Sequence, residues 1–308
     1  MTRRLLTVVF VFSLCACSSE PAKDASKEAE TPPAKTAAAE LWSVADGIQT
    51  PESAYVDPAT GDVYASNVAG APDGKDGMGH ISKISADGKT VNAMWITGLN
   101  APKGLRSHES TLWVTDIDEI VAIDMAAGKV KSKTKVAGAQ FLNDTAVGPD
   151  GTVYVTDMAA NKIIALKNGK TSVFAEGEDL EWPNGLLVDG ESLVVGGWGK
   201  PNGPTDFTTK VPGRLYKLDL KTKQKTLITA EPTGNIDGLE SDGKGGYIAS
   251  DYLAGKILHI TGDGKVATLT TFMPSTADIG FIASEKRLIV PHMNENKIVA
   301  YDISGSLP

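Results

Sequence analysis

From Leu41 onward the chain consists of one pattern repeated six times. A repeat constrains architecture more than any single residue, because each unit is one supersecondary module that can bury its faces only against its neighbours. In each copy a first strand opens on a polar residue near a proline or glycine, and an apolar second strand ends on a polar or small residue 13 to 15 positions later. The openings read PESAYVD, PKGLRS, LNDTAVG, PNGLLVD, IDGLESD and ADIGFIA; the second strands read DVYASN, LWVTD, VYVTD, LVVGG, YIASD and LIVPH. Separators such as DPATG, GPDG and SDGKG carry the Asp, Pro and Gly that favour tight antiparallel turns. A third strand follows each pair. In RLYKLDL, Tyr216, Leu218 and Leu220 alternate with Lys217 and Asp219, giving one buried and one wet face.

Fourth strands are legible in TSVFAE, QKTLITA and KVATLTTF, whereas the last unit runs out after KIVAYDI. The unpaired stretch ELWSVA, residues 40–45, can supply the missing strand and so remove the exposed edges of an open sheet. At roughly 44 residues per unit the expectation is an all-β, six-bladed propeller with four antiparallel strands per blade over 40–308, closed by the N-terminal strand. A lipocalin-like barrel would leave most of the chain unused. Two stacked sandwiches would not generate a single repeated unit.

Ahead of the repeats, Arg3 and Arg4 precede an apolar run from Leu5 to Leu14, too short to span a bilayer and shaped as an export signal over 1–16. The box LCAC resembles the cleavage and lipidation site of bacterial lipoproteins and implies that Cys17 becomes an acylated N-terminus. Cys15 would leave with the signal, so no internal disulfide is expected. Residues 17–39 then form a tether without an apolar period, reaching roughly 25 Å from the bilayer. Ser18 and Ser19 stand where an inner-membrane retention signal usually carries Asp, so the expected address is an outer-membrane lipoprotein facing the periplasm of a Gram-negative bacterium. The formal net charge of −8 becomes −10 once Arg3 and Arg4 are removed, which disfavours nucleic acid and leaves the lipid anchor as the expected membrane contact.

Strands that line a propeller channel place equivalent positions of each blade in one ring. The opening positions are Glu52, Lys103, Asn143, Asn184, Asp237 and Asp278; the second-strand ends are Asn67, Asp116, Asp157, Gly197, Asp251 and His292. Polar groups converging in a channel are costly unless paired or metal-bound. Two carboxylates with neutral amide oxygens suit a hard divalent cation: calcium foremost, with magnesium, manganese or zinc as alternatives.

PES, FLND, PNGL and IDGL stand in the order and blade spacing of the senescence marker protein and gluconolactonase family, which residues 40–303 resemble. The resemblance implies a six-bladed propeller with a single divalent metal held by Glu52, Asn184 and Asp237, with Asn143 near metal and substrate. Some sugar-lactone members carry Arg just before the third-blade Asn, whereas this chain reads GAQFLND; recognition of a sugar acid is not implied.

Lys103 is an unusual cation in the ring, either neutralising Asp278 or meeting an anionic substrate group. Asp116, Asp157 and Asp251 read first as turn ties. His292 is either a structural histidine or a substrate-facing proton shuttle. Two long loops, 70–79 and 199–213, are expected on the ring's face, where they would flank or cover it with Met78, Trp198 and Phe207 as apolar contacts. The reaction expected at such a site is hydrolysis of a lactone or small ester, with Asp237 or Glu52 taking a proton. No nucleophile elbow supports a covalent route. The alternative is a non-catalytic periplasmic binding or scaffold propeller whose cation only stiffens the channel.

Overall fold

A computed structural model describes residues 38–203 and 206–307; the export signal, Cys17 and all of the expected tether but Ala38 and Ala39 lie outside them. The described chain forms six four-stranded antiparallel sheets. β1 (Ala39–Val44) comes first. Blade 1 then contains β2 (Pro51–Val56), β3 (Val63–Asn67), β4 (Gly79–Ile84) and β5 (Val91–Leu99). Blade 2 contains β6 (Pro102–His108), β7 (Thr111–Asp116), β8 (Glu119–Asp124) and β9 (Lys129–Lys135); blade 3 has β10 (Leu142–Val147), β11 (Val153–Asp157), β12 (Lys162–Lys167) and β13 (Lys170–Glu176). Blade 4 is β14 (Pro183–Asp189), β15 (Ser192–Gly197), β16 (Leu215–Asp219) and β17 (Lys225–Leu227), and blade 5 is β18 (Ile236–Ser241), β19 (Tyr247–Asp251), β20 (Lys256–Ile260) and β21 (Val266–Thr271). β22 (Gly280–Ile282), β23 (Arg287–His292) and β24 (Lys297–Asp302) form blade 6, whose outermost place is taken by β1.

The ring is closed twice. β1 pairs antiparallel with β24 from Ala39↔Asp302 to Val44↔Ile298. On the channel side, Asp278 N–H donates to the Glu52 carbonyl at 2.9 Å and Ala54 N–H donates to the Asp278 carbonyl at 3.0 Å. The second closure joins the first and last blades at the level of the polar ring.

The cores lie between blades, as alternation along the strands requires. Tyr216 and Leu218 of β16 are buried between blades 3 and 4, with Lys217 and Asp219 on the other face. The Tyr216 hydroxyl is satisfied by the Leu180 carbonyl at 2.6 Å. Tyr64, Ile81, Leu105 and Val114 share a core between blades 1 and 2. Among the described residues no helix is long and apolar enough to cross a membrane.

β1 covers the hydrogen-bonding edge of β24 and buries Val44 in the core of blades 1 and 6. Truncation to begin at Asp46 is therefore expected to abolish cooperative thermal unfolding and to promote aggregation, as an uncovered sheet edge does. Truncation to begin at Ala38 should leave the melt unchanged. Circular dichroism of the two truncated chains checks the pair; a cooperative, unshifted melt without β1 would contradict the closure.

Candidate metal and substrate site

Five of the six polar ring positions lie at a break in their own ladder, and Asp278 lies just ahead of β22. The β2/β3 register shifts between Pro51 and Ser53, β6/β7 between Pro102 and Leu105, β10/β11 between Leu142 and Thr145, β14/β15 between Pro183 and Leu186, and β18/β19 between Ile236 and Leu239. Such a bulge re-aims a side chain at the cost of freeing backbone groups. Ser and Thr just before the second-strand ends take up those groups. Ser66 Oγ accepts from Ser53 N–H at 2.9 Å, Thr156 Oγ1 from Asp144 N–H at 2.9 Å, and Ser250 Oγ from Gly238 N–H at 2.7 Å. Hydroxyls at this position also reach the neighbouring blade: Thr115 donates to the Asn143 carbonyl, Thr156 to the Asn184 carbonyl at 3.1 Å and Ser250 to the Ala277 carbonyl at 2.8 Å.

The second-strand ends hold the segment leading into the inner strand. Asp116 accepts from Asn100 and Ala101 N–H, Asp157 from Gln140 and Phe141 N–H, Asp251 from Asn235 N–H, and Asn67 from Gln49 N–H. Asp157 and Asp251 also receive Ala160 and Ala254 N–H, at 3.3 Å each, from the following turn. They are ties, as the turn reading has it, and each fixes the approach of a ring residue two or three positions on.

Glycine sets the width of the channel. A Cβ on Gly185, next to Asn184, would lie 2.4 Å from the Asp237 carbonyl oxygen, and one on Gly238, next to Asp237, would lie 2.3 Å from Ile279 N. Without side chains there, the inner strands of blades 4, 5 and 6 approach closely.

Glu52, Lys103, Asn143, Asn184 and Asp237 converge on one cavity of about 180 Å³, open on one side and shared with Trp198. Asn184 Nδ2 donates to Asp237 Oδ1 at 2.8 Å, which turns Asn184 Oδ1 away from that bond. Asn184 Oδ1 and Glu52 Oε2 are both buried and make no hydrogen bond. Burial pushes the Glu52 carboxyl well above the usual carboxylate range, and repulsion from Asp237 adds to it. Burial and Asp278 do the same to Asp237, against the Asn184 hydrogen bond.

Deeper in the channel Arg106 Nη1 meets Glu240 at 2.8 Å, while Asp278 Oδ2 accepts from Ser53 Oγ at 2.5 Å. Asp144 accepts Thr145 N–H at 2.6 Å and Leu186 N–H at 2.5 Å. Arg106 feels Glu240, Asp144 and Asp278 together. Carboxylates at Glu52, Asp144, Asp237, Asp278 and Glu240 thus outnumber the cations Lys103 and Arg106. Acceptor oxygens without donors, in a channel where acidic groups outnumber basic ones, are what a hard cation needs. Among the described residues no three His, Cys, Asp or Glu side chains cluster as metal ligands; a set of two carboxylates and amide oxygens is of another kind.

Lys103 does not pair with Asp278. Its Nζ donates to the Pro72 carbonyl at 2.8 Å and the Ala101 carbonyl at 2.9 Å and lies 4.5 Å from the Phe141 ring centroid. Burial lowers its pKa to about 8, against the pull of Glu52. His292 is not a wall of the cavity. Its imidazole lodges between Tyr301, with Nε2 at 3.0 Å from the hydroxyl, and Glu295, with Nδ1 at 3.3 Å, instead of tying loop amides as the Asp residues do. A substrate-facing role is therefore corrected to a structural one.

Loops 70–79 and 199–213 both reach the cavity, through Pro72 and Phe207; Met78 is exposed and takes no part. Sequence reasoning missed Val68, Met158, Tyr252 and Met293 in the walls. Each directly follows a second-strand end, as Trp198 does, and that constant offset was the available signal.

No protein-family model and no curated protein matches the chain. Among solved structures it is similar to regucalcin of Agrobacterium tumefaciens, described as a calcium-binding protein, at 18% identity over 87% of this chain and 96% of that one, with a TM-score of 0.60. A gluconolactonase of Xanthomonas campestris is 17% identical over 86% of each chain, also at 0.60. Virginiamycin B lyase of Staphylococcus aureus is 14% identical over 81% of this chain and 79% of that one, at 0.55. Identities this low establish the propeller fold, and the differing activities show that the fold does not select the chemistry.

Gly185→Ala should lower stability by about 1–3 kcal/mol, the usual range for overpacking; an unshifted thermal melt would contradict the close approach of the two strands. For His292, burial outweighs Glu295 and depresses the pKa from 6.5 to about 4. The folded protein holds it neutral, so its stability contribution is complete above pH 6.5 and is lost as pH falls towards 4. In His292→Gln the dependence of unfolding free energy on pH in that window should flatten, by at most about 1.4 kcal/mol per pH unit. Denaturant titrations at several pH values check it, and parallel curves would contradict it.

Proposed function

We propose that the chain is a divalent-metal-dependent hydrolase that opens a lactone or cleaves a small ester at the mouth of the propeller channel. In this reading it is exported and held by lipid on Cys17 at the outer membrane, facing the periplasm. The observation that carries the reading is the pair of buried, unpartnered oxygens, Glu52 Oε2 and Asn184 Oδ1, beside Asp237 in one solvent-reached cavity.

Glu52, Asn184 and Asp237 would hold the cation, with Asn143 beside them. Calcium suits an all-oxygen set of two carboxylates and amide carbonyls, with magnesium and manganese next; zinc would ordinarily be met by nitrogen or sulfur ligands. The gluconolactonase and calcium-binding neighbours lend the reading support by analogy of fold. When bound, the cation would polarise the carbonyl of a lactone or ester and make a neighbouring water more acidic. Glu52 or Asp237 would take the proton of the attacking water. Asp237 is oriented by the Asn184 amide and offers a second acceptor. Burial raises the proton affinity of both carboxyls. The attacked bond is the acyl C–O bond; the proton ends on the departing alkoxide, giving a hydroxy acid or an acid and an alcohol.

A panel of δ-lactones and aryl esters should be hydrolysed in Ca²⁺ and left intact after chelation, and Asp237→Asn should lower kcat/KM by roughly a hundredfold or more. Ca²⁺ at a hundred times its Kd should stabilise the wild type by about 2.7 kcal/mol, and Asp237→Asn should lose that gain. Hydrolysis indifferent to chelator and substitution would overturn the metal mechanism.

A further inference from the structure

The six residues that follow the second-strand ends are Val68, Ile117, Met158, Trp198, Tyr252 and Met293. The first position of each turn is thus apolar or aromatic in all six blades, directly after a terminal residue that is polar or small. Five of them wall the cavity, and Ile117 packs with Val68, Ala101 and Met293 at its edge. A collar of carbon therefore stands above the ring of oxygens. Two rings from elsewhere complete it: Phe141 and Phe207 lie against each other with centroids 5.8 Å apart.

The collar's few polar atoms are already occupied. Trp198 Nε1 donates to the Phe207 carbonyl at 2.8 Å and the Tyr252 hydroxyl donates to Met293 Sδ at 3.3 Å, while Lys103 Nζ, in the ring below, gives two of its three donors to backbone carbonyls. Hydrogen-bonding capacity is concentrated at the floor, on Glu52, Asn143, Asn184 and Asp237. A ligand rich in hydroxyls would lose water against the collar and gain few partners there. A ligand with one polar carbonyl and an apolar substituent matches the division between floor and collar.

Resting on the hydrolase reading, we infer that the substrate is a lactone or ester whose substituent is a short alkyl chain or an aromatic ring, with its carbonyl to the floor and its hydrocarbon in the collar. Polyhydroxylated sugar lactones are excluded as preferred substrates. Phe141, Phe207 and Met158 are the specificity-determining side chains.

Lactams separate recognition from turnover, because they keep the ring and carbonyl but resist hydrolysis. On the full-length protein in excess Ca²⁺, calorimetric Kd values would be compared for unsubstituted δ-valerolactam, a propyl- or phenyl-substituted δ-lactam and gluconolactam. The substituted lactam should bind at least tenfold more tightly than the unsubstituted one, at about fourfold per buried methylene, and gluconolactam no more tightly than the unsubstituted one. Phe207→Ser should remove about tenfold from the substituted lactam alone, with an unshifted melt as the folding control. Equal binding of all three lactams, tighter gluconolactam, or no binding of the substituted lactam overturns the inference, and the wild-type comparison decides it whether or not the variant folds. Lactam selectivity as expected, with no corresponding lactone hydrolysed, would leave the collar's ligand class standing and remove the hydrolase reading.

Discussion

Everything at the channel mouth depends on bulged inner strands held open by hydroxyl groups from the adjacent strand. A regular ladder would give each residue's N–H and C=O to its neighbour and would alternate side chains across the sheet. At Glu52, Asn184 and Asp237 the ladder is broken, and Ser66, Thr156 and Ser250 satisfy backbone groups at or next to the breaks. Each hydroxyl accepts from its own blade's inner strand, and those of Thr156 and Ser250 also donate to the next blade, which spreads the constraint around the ring. The polar ring is thereby built on strands, and its members are separated by backbone packing at Gly185 and Gly238 instead of by mobile side chains.

This scaffold makes the electrostatics of the channel unusually demanding. Buried carboxylates ordinarily pair with cations or donors, since desolvation without compensation is expensive. Here Asp278 is given Ser53, Asp144 is given two backbone amides, and Glu240 is given Arg106. Glu52 Oε2 and Asn184 Oδ1 at the mouth are given no donor. The one ammonium within reach, on Lys103, is occupied with the Pro72 and Ala101 carbonyls and buttresses loop 70–79 and the Phe141 ring. Asp278 Oδ1 and Arg106 Nε in the interior also lack hydrogen bonds; what distinguishes the mouth is that its unpartnered groups are both acceptor oxygens and belong to residues that line the cavity, which is the physical basis for assigning a ligand there.

Much of this was legible from residue order alone, for a definite reason. A repeat whose landmarks are a polar opening and a strand-ending polar or small residue carries its own register, so aligning six copies aligns six positions in space; Glu52, Asn143, Asn184 and Asp237 meet although the chain separates them widely. The closing role of residues 40–45 was legible because the last copy lacked its fourth strand. The Lys103–Asp278 pair was misjudged because the partners of Lys103 are backbone carbonyls, which leave no mark in a sequence. His292 shares the register of Asp116 and Asp157 but not their size, and register alone does not say which way a larger ring turns. The apolar collar, apart from Trp198, escaped notice because one apolar residue after a strand end looks like ordinary packing until all six copies are stacked.

The most direct test of the central claim is anomalous diffraction from crystals of the protein grown with Mn²⁺, an anomalous scatterer that prefers the oxygen ligands calcium uses. The account predicts one dominant peak in the channel mouth, bounded by Glu52, Asn184 and Asp237. No peak in the channel, or a peak only elsewhere such as at the acidic loop 70–79, would contradict it.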